Sequence, residues 1–190
     1  VACILPPRTF SPHSAAIVVP KKDDSPLTGN EYLRLIAYLA GILNSYVFDF
    51  LIRTRISMNL SFFYVYQTPV PPSVDHPLGK EIIRISARLS SADERFSEFA
   101  TSLGVKTGPL GLKERLDLTA KLNTLVSKHY GLNKEEFEVI LQSFEGFEED
   151  KNLEKLTEVK WSDDLMRRFN GEVRKRVLQY FDSPDLGDGV

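Results

Sequence analysis

The stretch "NSYVFDFLIRTRISMNLSFFYVYQTPVPP", Asn44 to Pro72, decides how this chain is read. Asn44 to Arg53 complete a strongly apolar helical pattern. A polar break comes next, then an aromatic run and a proline stop. Upstream, Leu35, Leu39, Ile42, Leu43 and Tyr46 recur at i, i+4, i+7, i+8 and i+11, which predicts a helix from Glu31 to about Arg55. Tyr32, Ile36, Val47, Phe48, Phe50, Leu51 and Ile52 place apolar side chains around much of its circumference, so it reads as buried on more than one side. Asn44, Ser45 and Asp49 interrupt the apolar run and argue against a transmembrane span. "LSFFYVYQTPVP" reads as a strand, with Phe62, Tyr64 and Tyr66 on one face and Phe63, Val65 and Gln67 on the other. "PVPP" would end it, because proline cannot donate to a sheet ladder.

Before this stretch, "VACIL" and "AAIVV" are β-rich runs separated by "PPRTFSPHS", which suggests strand, turn, strand. "PKKDDSPLTGN" is rich in turn formers, and Asn30 is a candidate cap for the next helix. After "SVDHP" the pattern becomes helical, with helices predicted at about 78–103, 112–130, 134–144 and 162–181. In "HYGLN", Gly131 reads as the residue that closes one helix and Asn133 as the N-cap of the next. The fold class expected is therefore α+β, mainly α. Residues 1–72 would form a small mixed α/β part, and residues 77–190 a helical C-terminal part.

The chain has 190 residues, with 42% hydrophobic and 26% charged, as in an ordinary globular protein. Its single cysteine, Cys3, excludes an internal disulfide framework and fits a reducing cytoplasm. It begins with Val1 inside an apolar run, without the charged segment that opens a signal peptide, and reads as a piece of a longer protein. The net charge of −2 is not that of a simple basic nucleic-acid binder, but it is unevenly spread. Residues 1–76 carry six basic and five acidic residues, whereas Lys134 to Asp164 carry four and eleven. That acidic stretch would repel phosphate. "RRFNGEVRKR", 167–176, is the exception, and pairing with the acidic 145–164 segment is favoured over contact with DNA.

No catalytic site can be assembled from the sequence. His13, His76 and His129 lack metal-ligand spacing, Cys3 has no nearby partner, and no glycine-rich loop joins a strand to a helix. The polar residues that remain suit recognition. Arg8, Thr9, His13, Lys21 and Lys22 lie in the N-terminal loops, and Arg53, Arg55, Ser57, Asn59 and Ser61 lie where the apolar helix ends. Arginine can read guanine, asparagine can read adenine, and serine or threonine suits phosphate. A helix C-terminus also favours Arg53 and Arg55 for structural reasons.

These residues carry a resemblance. Leu39 to Arg53, with Asn44, Ser45, Phe48, Asp49 and Phe50, followed by Asn59, Leu60, Phe62, Phe63, Gln67, Pro69, Val70 and Pro71, resembles the C-terminal target-recognition region of N6-adenine DNA methyltransferases of the type IIG restriction–modification class. "RTFSPHSAAIVVPK" resembles the family's upstream strand pair, although its turn reads "SPHSAA" where an Asn-Glu-Arg-Thr-like turn is common. "LVSKHYGLNKEEFEVILQSF", Leu125 to Phe144, resembles a downstream helix pair. The Asn-Ser and Pro-Val-Pro elements also resemble the specificity subunits of type I systems. The resemblance implies a DNA-binding, non-catalytic fragment with Arg8, Lys21, Lys22, Arg53, Arg55 and Asn59 as contacts to double-stranded DNA. S-adenosylmethionine and base flipping would then belong to an upstream methyltransferase domain, since "TPVPPS" lacks the asparagine and aromatic that hold an extruded adenine. The alternative it implies is a protein-interaction or specificity module of a multisubunit system.

Overall fold

The computed structural model describes residues 2–6, 9, 17–22, 25–55, 62–72, 74–144, 146, 153 and 161–183. Helices dominate them: α1 Gly29–Leu43, α2 Tyr46–Arg53, α3 Phe62–Gln67, α4 Pro77–Ser90, α5 Ser97–Ser102, α6 Leu112–His129, α7 Lys134–Gln142 and α8 Asp163–Phe181. Among the described residues, extended pairing is confined to a two-residue antiparallel ribbon, β1 Lys21–Lys22 with β2 Ser25–Pro26. The mainly helical expectation holds, and the small α/β part is not seen among the described residues.

Helices α1, α4, α6 and α8 pack in that order, each on the next. On α8 the packing face is a stripe of Leu165, Phe169, Val173 and Val177, four residues apart and buried, as an amphipathic helix requires. Helix α6 lies in the middle and buries residues on several faces, including Leu116, Ala120, Leu125 and Val126. Its Thr124 hydroxyl turns back to the Ala120 carbonyl at 3.1 Å and also reaches the Val177 carbonyl of α8 at 3.3 Å. Gly41 lets α1 approach closely, since a Cβ there would stand 2.9 Å from Ile82 Cγ2 of α4 and 3.3 Å from Leu122 Cδ1 of α6. One hydrophobic cluster runs from Ala37 and Tyr38 on α1 to Val177 on α8, so residues before and after Pro72 share a core.

The predicted helix 31–55 is two helices bent by 64°. Ser45 causes the break. Its buried side chain donates to the Ile42 carbonyl at 2.7 Å and accepts from the Phe48 amide at 3.2 Å, which caps α2. No single helix among the described residues is long and apolar enough to cross a membrane. The cap of α1 is Thr28, not Asn30, which lies inside the helix. The predicted helix 78–103 ends at Ser90 and resumes as α5 after a short 3-10 turn at Glu94–Phe96. The predictions at 112–130, 134–144 and 162–181 match α6, α7 and α8 to within two residues. Gly131 has φ +79°, and Asn133 forms a full capping box with Glu136.

The strand predicted for the aromatic run is a correction, because Phe62–Gln67 is helical. Its inward positions are Tyr64, Val65 and Thr68, which is i, i+1 and i+4, the spacing of a helix face. Thr68 Oγ donates to the Tyr64 carbonyl at 2.8 Å within the same turn. A strand needs a neighbour to satisfy its backbone, and none of the described residues pairs with this run, so the helix meets that need locally. Residues 2–6 and 17–19, in the runs read as N-terminal strands, are not in strands either.

Candidate nucleic-acid interface

The region around the bend is built from side chain to backbone bonds. Asn44 closes α1 and clamps the N-terminal segment: its Oδ1 accepts from the Ala2 amide at 2.9 Å, and its Nδ2 donates to the Ala2 carbonyl at 2.8 Å. The amide of Tyr46, an open donor at the start of α2, is met by Asn123 Oδ1 of α6 at 2.9 Å. The "PVPP" segment is held from two sides. Tyr38 of α1 donates to the Pro71 carbonyl at 2.6 Å, and Tyr130 after α6 donates to the Pro69 carbonyl at 2.8 Å. These acceptors are available because no ladder claims them. Burial pushes the Tyr38 phenol up to about 12. Burial, reinforced by Tyr38, also raises that of Tyr130. Both hydroxyls therefore stay protonated as donors at neutral pH.

On this support stand two of the expected contact residues. Arg53 ends α2 with two-thirds of its side chain exposed. It is bonded to Asp49 one turn back, through Nε at 3.0 Å and Nη2 at 2.9 Å, and its guanidinium lies 5.0 Å from the centre of the Phe144 ring. Arg55 is exposed in the turn after α2 and donates to the Gln67 carbonyl at the end of α3 at 2.7 Å. The two arginines thus stand just before residues 56–61 in the chain, and Arg55 ties the turn after α2 to the end of α3. Lys21 is exposed on β1, where Lys22 is its neighbour. No hydrogen bond or ion pair joins this ribbon to Arg53 or Arg55 among the described residues. Arg8 and Asn59, together with His13, Ser57 and Ser61, lie outside the described residues.

Sequence reading missed the outward face of α3. Phe63 and Tyr66, three residues apart, are 62% and 74% exposed. As a strand they would have faced opposite ways; on a helix they share a side. It also missed Tyr38, Tyr130 and Asn123 as supports. The signal for Asn123 was a lone amide within the apolar repeat "KLNTLV". The two tyrosines act across more than thirty residues of chain, which no local pattern encodes.

Charge elsewhere is largely internal. Arg168 pairs with Asp164 at 2.8 Å, inside the acidic stretch, while Arg176 crosses to Asp117 of α6. His76 and His129 stack at 5.4 Å, a meeting that their sequence spacing does not reveal. His76 Nδ1 accepts the Leu78 amide at 3.2 Å and so caps α4. No group of three metal-ligating side chains gathers among the described residues. Compared with known proteins, the chain matches no family model, no curated protein and no solved structure.

Proposed function

We propose that this chain is the target-recognition and helical support part of an N6-adenine DNA methyltransferase of the type IIG restriction–modification class. It binds double-stranded DNA and performs no catalysis itself. The chemistry, with its S-adenosylmethionine, belongs to a methyltransferase domain upstream, on which this part would dock. The observation that carries the reading is that the residues of the resemblance serve one construction. Asn44 and Ser45 make the bend, Asp49 orients Arg53, and Pro69 and Pro71 are gripped by tyrosines. Arg53 and Arg55 remain at the surface, suited to phosphate and base edges, and exposed aromatic rings stand on α3, whose last residue Arg55 bonds.

The test is binding of a fluorescent duplex by the whole chain at several salt concentrations. Affinity should fall with salt, because phosphate contacts release counterions. Replacing Arg53 and Arg55 together with Ala should weaken binding by roughly tenfold and flatten the salt dependence by about two in slope, with an unchanged melting temperature. An early melt of the double variant would make the arginines structural. A second reading, a protein-interaction or specificity module, is favoured by the exposed Ile17, Val18 and Val19 and by Phe63 and Tyr66. A stable homodimer or subunit complex with no affinity for DNA would select it.

A further inference from the structure

We propose that the cleft between α1, α4 and α5 is a phosphate site. Its ligand is a phosphodiester of the DNA strand, so the inference rests on the DNA-binding reading. The cleft has a volume of about 300 Å3 and opens to solvent. Its polar wall consists of Asn30 and Arg34 from α1, Lys80 and Arg84 from α4, and Ser102 at the end of α5. Ile83 lies behind them in the core. Three cations, an amide and a hydroxyl therefore converge from three elements on one space. That set suits an anion with several oxygens.

The charges around the cleft are not all neutralised. Arg34 bonds Asp75 at 2.6 Å, but the Asp75 side chain is 82% exposed, so solvent screens the pair and the guanidinium can share a second anion. Arg84 is held by Glu81 on its own helix, at 2.8 and 2.5 Å, which fixes its plane and keeps it protonated. The ammonium of Lys80 has no hydrogen bond or ion pair among the described residues and is exposed. The first turn of α1 carries Glu31, which opposes the cations, yet Thr28 makes no side-chain cap there. The positive end of a fifteen-residue helix therefore adds to the field at Asn30.

This site is absent from the sequence as a pattern. Arg34 and Lys80 are 46 residues apart in the chain, with Arg84 four further on. Only the packing of α1 on α4 brings them together. Lys80 and Arg84 sit four residues apart, on one face of α4, while Ile82, Ile85 and Ser86 turn inward.

The test uses the whole chain and two probes. Pyrophosphate is titrated while amide shifts are followed by NMR at Asn30, Lys80 and Ser102, and duplex DNA is titrated by anisotropy. Saturable shifts at these three positions, weakened at least tenfold by Lys80→Glu and by Arg34→Gln with melting temperatures unchanged, are expected. The same variants should weaken duplex binding by about tenfold and make the salt dependence shallower. Lys80→Gln serves as the milder variant if the charge reversal disturbs folding. No saturable shift, or shifts that both variants leave intact, overturns the site whatever DNA does. Pyrophosphate binding without duplex binding keeps a site for free phosphate and overturns the DNA reading. Duplex binding that ignores the cleft variants, with no pyrophosphate shifts, overturns the cleft and leaves the DNA reading standing.

Discussion

Helices α7 and α3 are both short, both built around aromatic and aliphatic residues, and they end in opposite environments. In α7, Phe137 is fully buried, Ile140 and Leu141 join it, and the helix packs on α2 and α8. A capping box fixes its start. In α3, Phe63 and Tyr66 are largely exposed, while Val65 packs against the core and the following segment is gripped by tyrosines at Pro69 and Pro71. Apolar content alone therefore does not set burial. Helix α7 buries its apolar side within the chain, whereas Phe63 and Tyr66 on the outward side of α3 stay largely exposed. An exposed aromatic side of this kind is a surface that a ligand or partner would cover.

Three variants bear on this contrast, in descending order of effect. Phe137→Ala should cost about 3–5 kcal/mol, because it removes a fully buried ring that also packs against Phe181 at 5.7 Å between centres. Urea unfolding measures it, and a loss below about 1 kcal/mol would mean that α7 is not part of the core.

Tyr38→Phe tests the grip on the proline segment. Losing the bond to the Pro71 carbonyl should cost about 1 kcal/mol. It should also change the alkaline limb of stability. The Tyr38 phenol titrates at about 12 in the folded protein and near 10 when unfolded. The raised value means its contribution is complete below pH 10 and disappears as pH climbs from 10 to 12, since the unfolded chain ionises first. Wild type should lose stability across that window, and the Phe variant should lose less. Equal slopes for the two proteins would count against a buried, neutral Tyr38.

Phe63→Ser with Tyr66→Ser should leave stability within about 0.5 kcal/mol, because both side chains are largely in water already. If the outward face of α3 takes part in binding, duplex affinity should fall with the same double change. A marked drop in melting temperature instead would show that α3 packs more tightly than its exposure indicates.

Much of the helical part was legible in the sequence. Helices α6, α7 and α8 track apolar repeats with a 3.6 period, and their ends are marked by Gly131, Asn133 and Ser162 acting on their immediate neighbours. These signals are local, so a single stretch of chain contains them whole. The position of Arg53 and Arg55 at the end of an apolar helix was legible for the same reason. The break at Asn44–Ser45 was visible only as polar residues in an apolar run, because the cap and the bend look alike in sequence.

Most of the helices, several of their caps and the apolar stripes that must be covered are thus written in local stretches of chain. Which stripes are covered was decided by tertiary structure alone. It made the aromatic run at 62–67 a helix, because no strand among the described residues pairs with it, and local bonds satisfied its backbone instead. It set Gly41 against Ile82, placed Tyr38 and Tyr130 on the carbonyls of the proline segment, and drew Arg34 beside Lys80 and Arg84. The physical reason is one of range. Periodicity and capping act within a turn or two of chain, whereas burial, cross-chain hydrogen bonds and a shared electrostatic field depend on which distant surfaces the packing brings into contact.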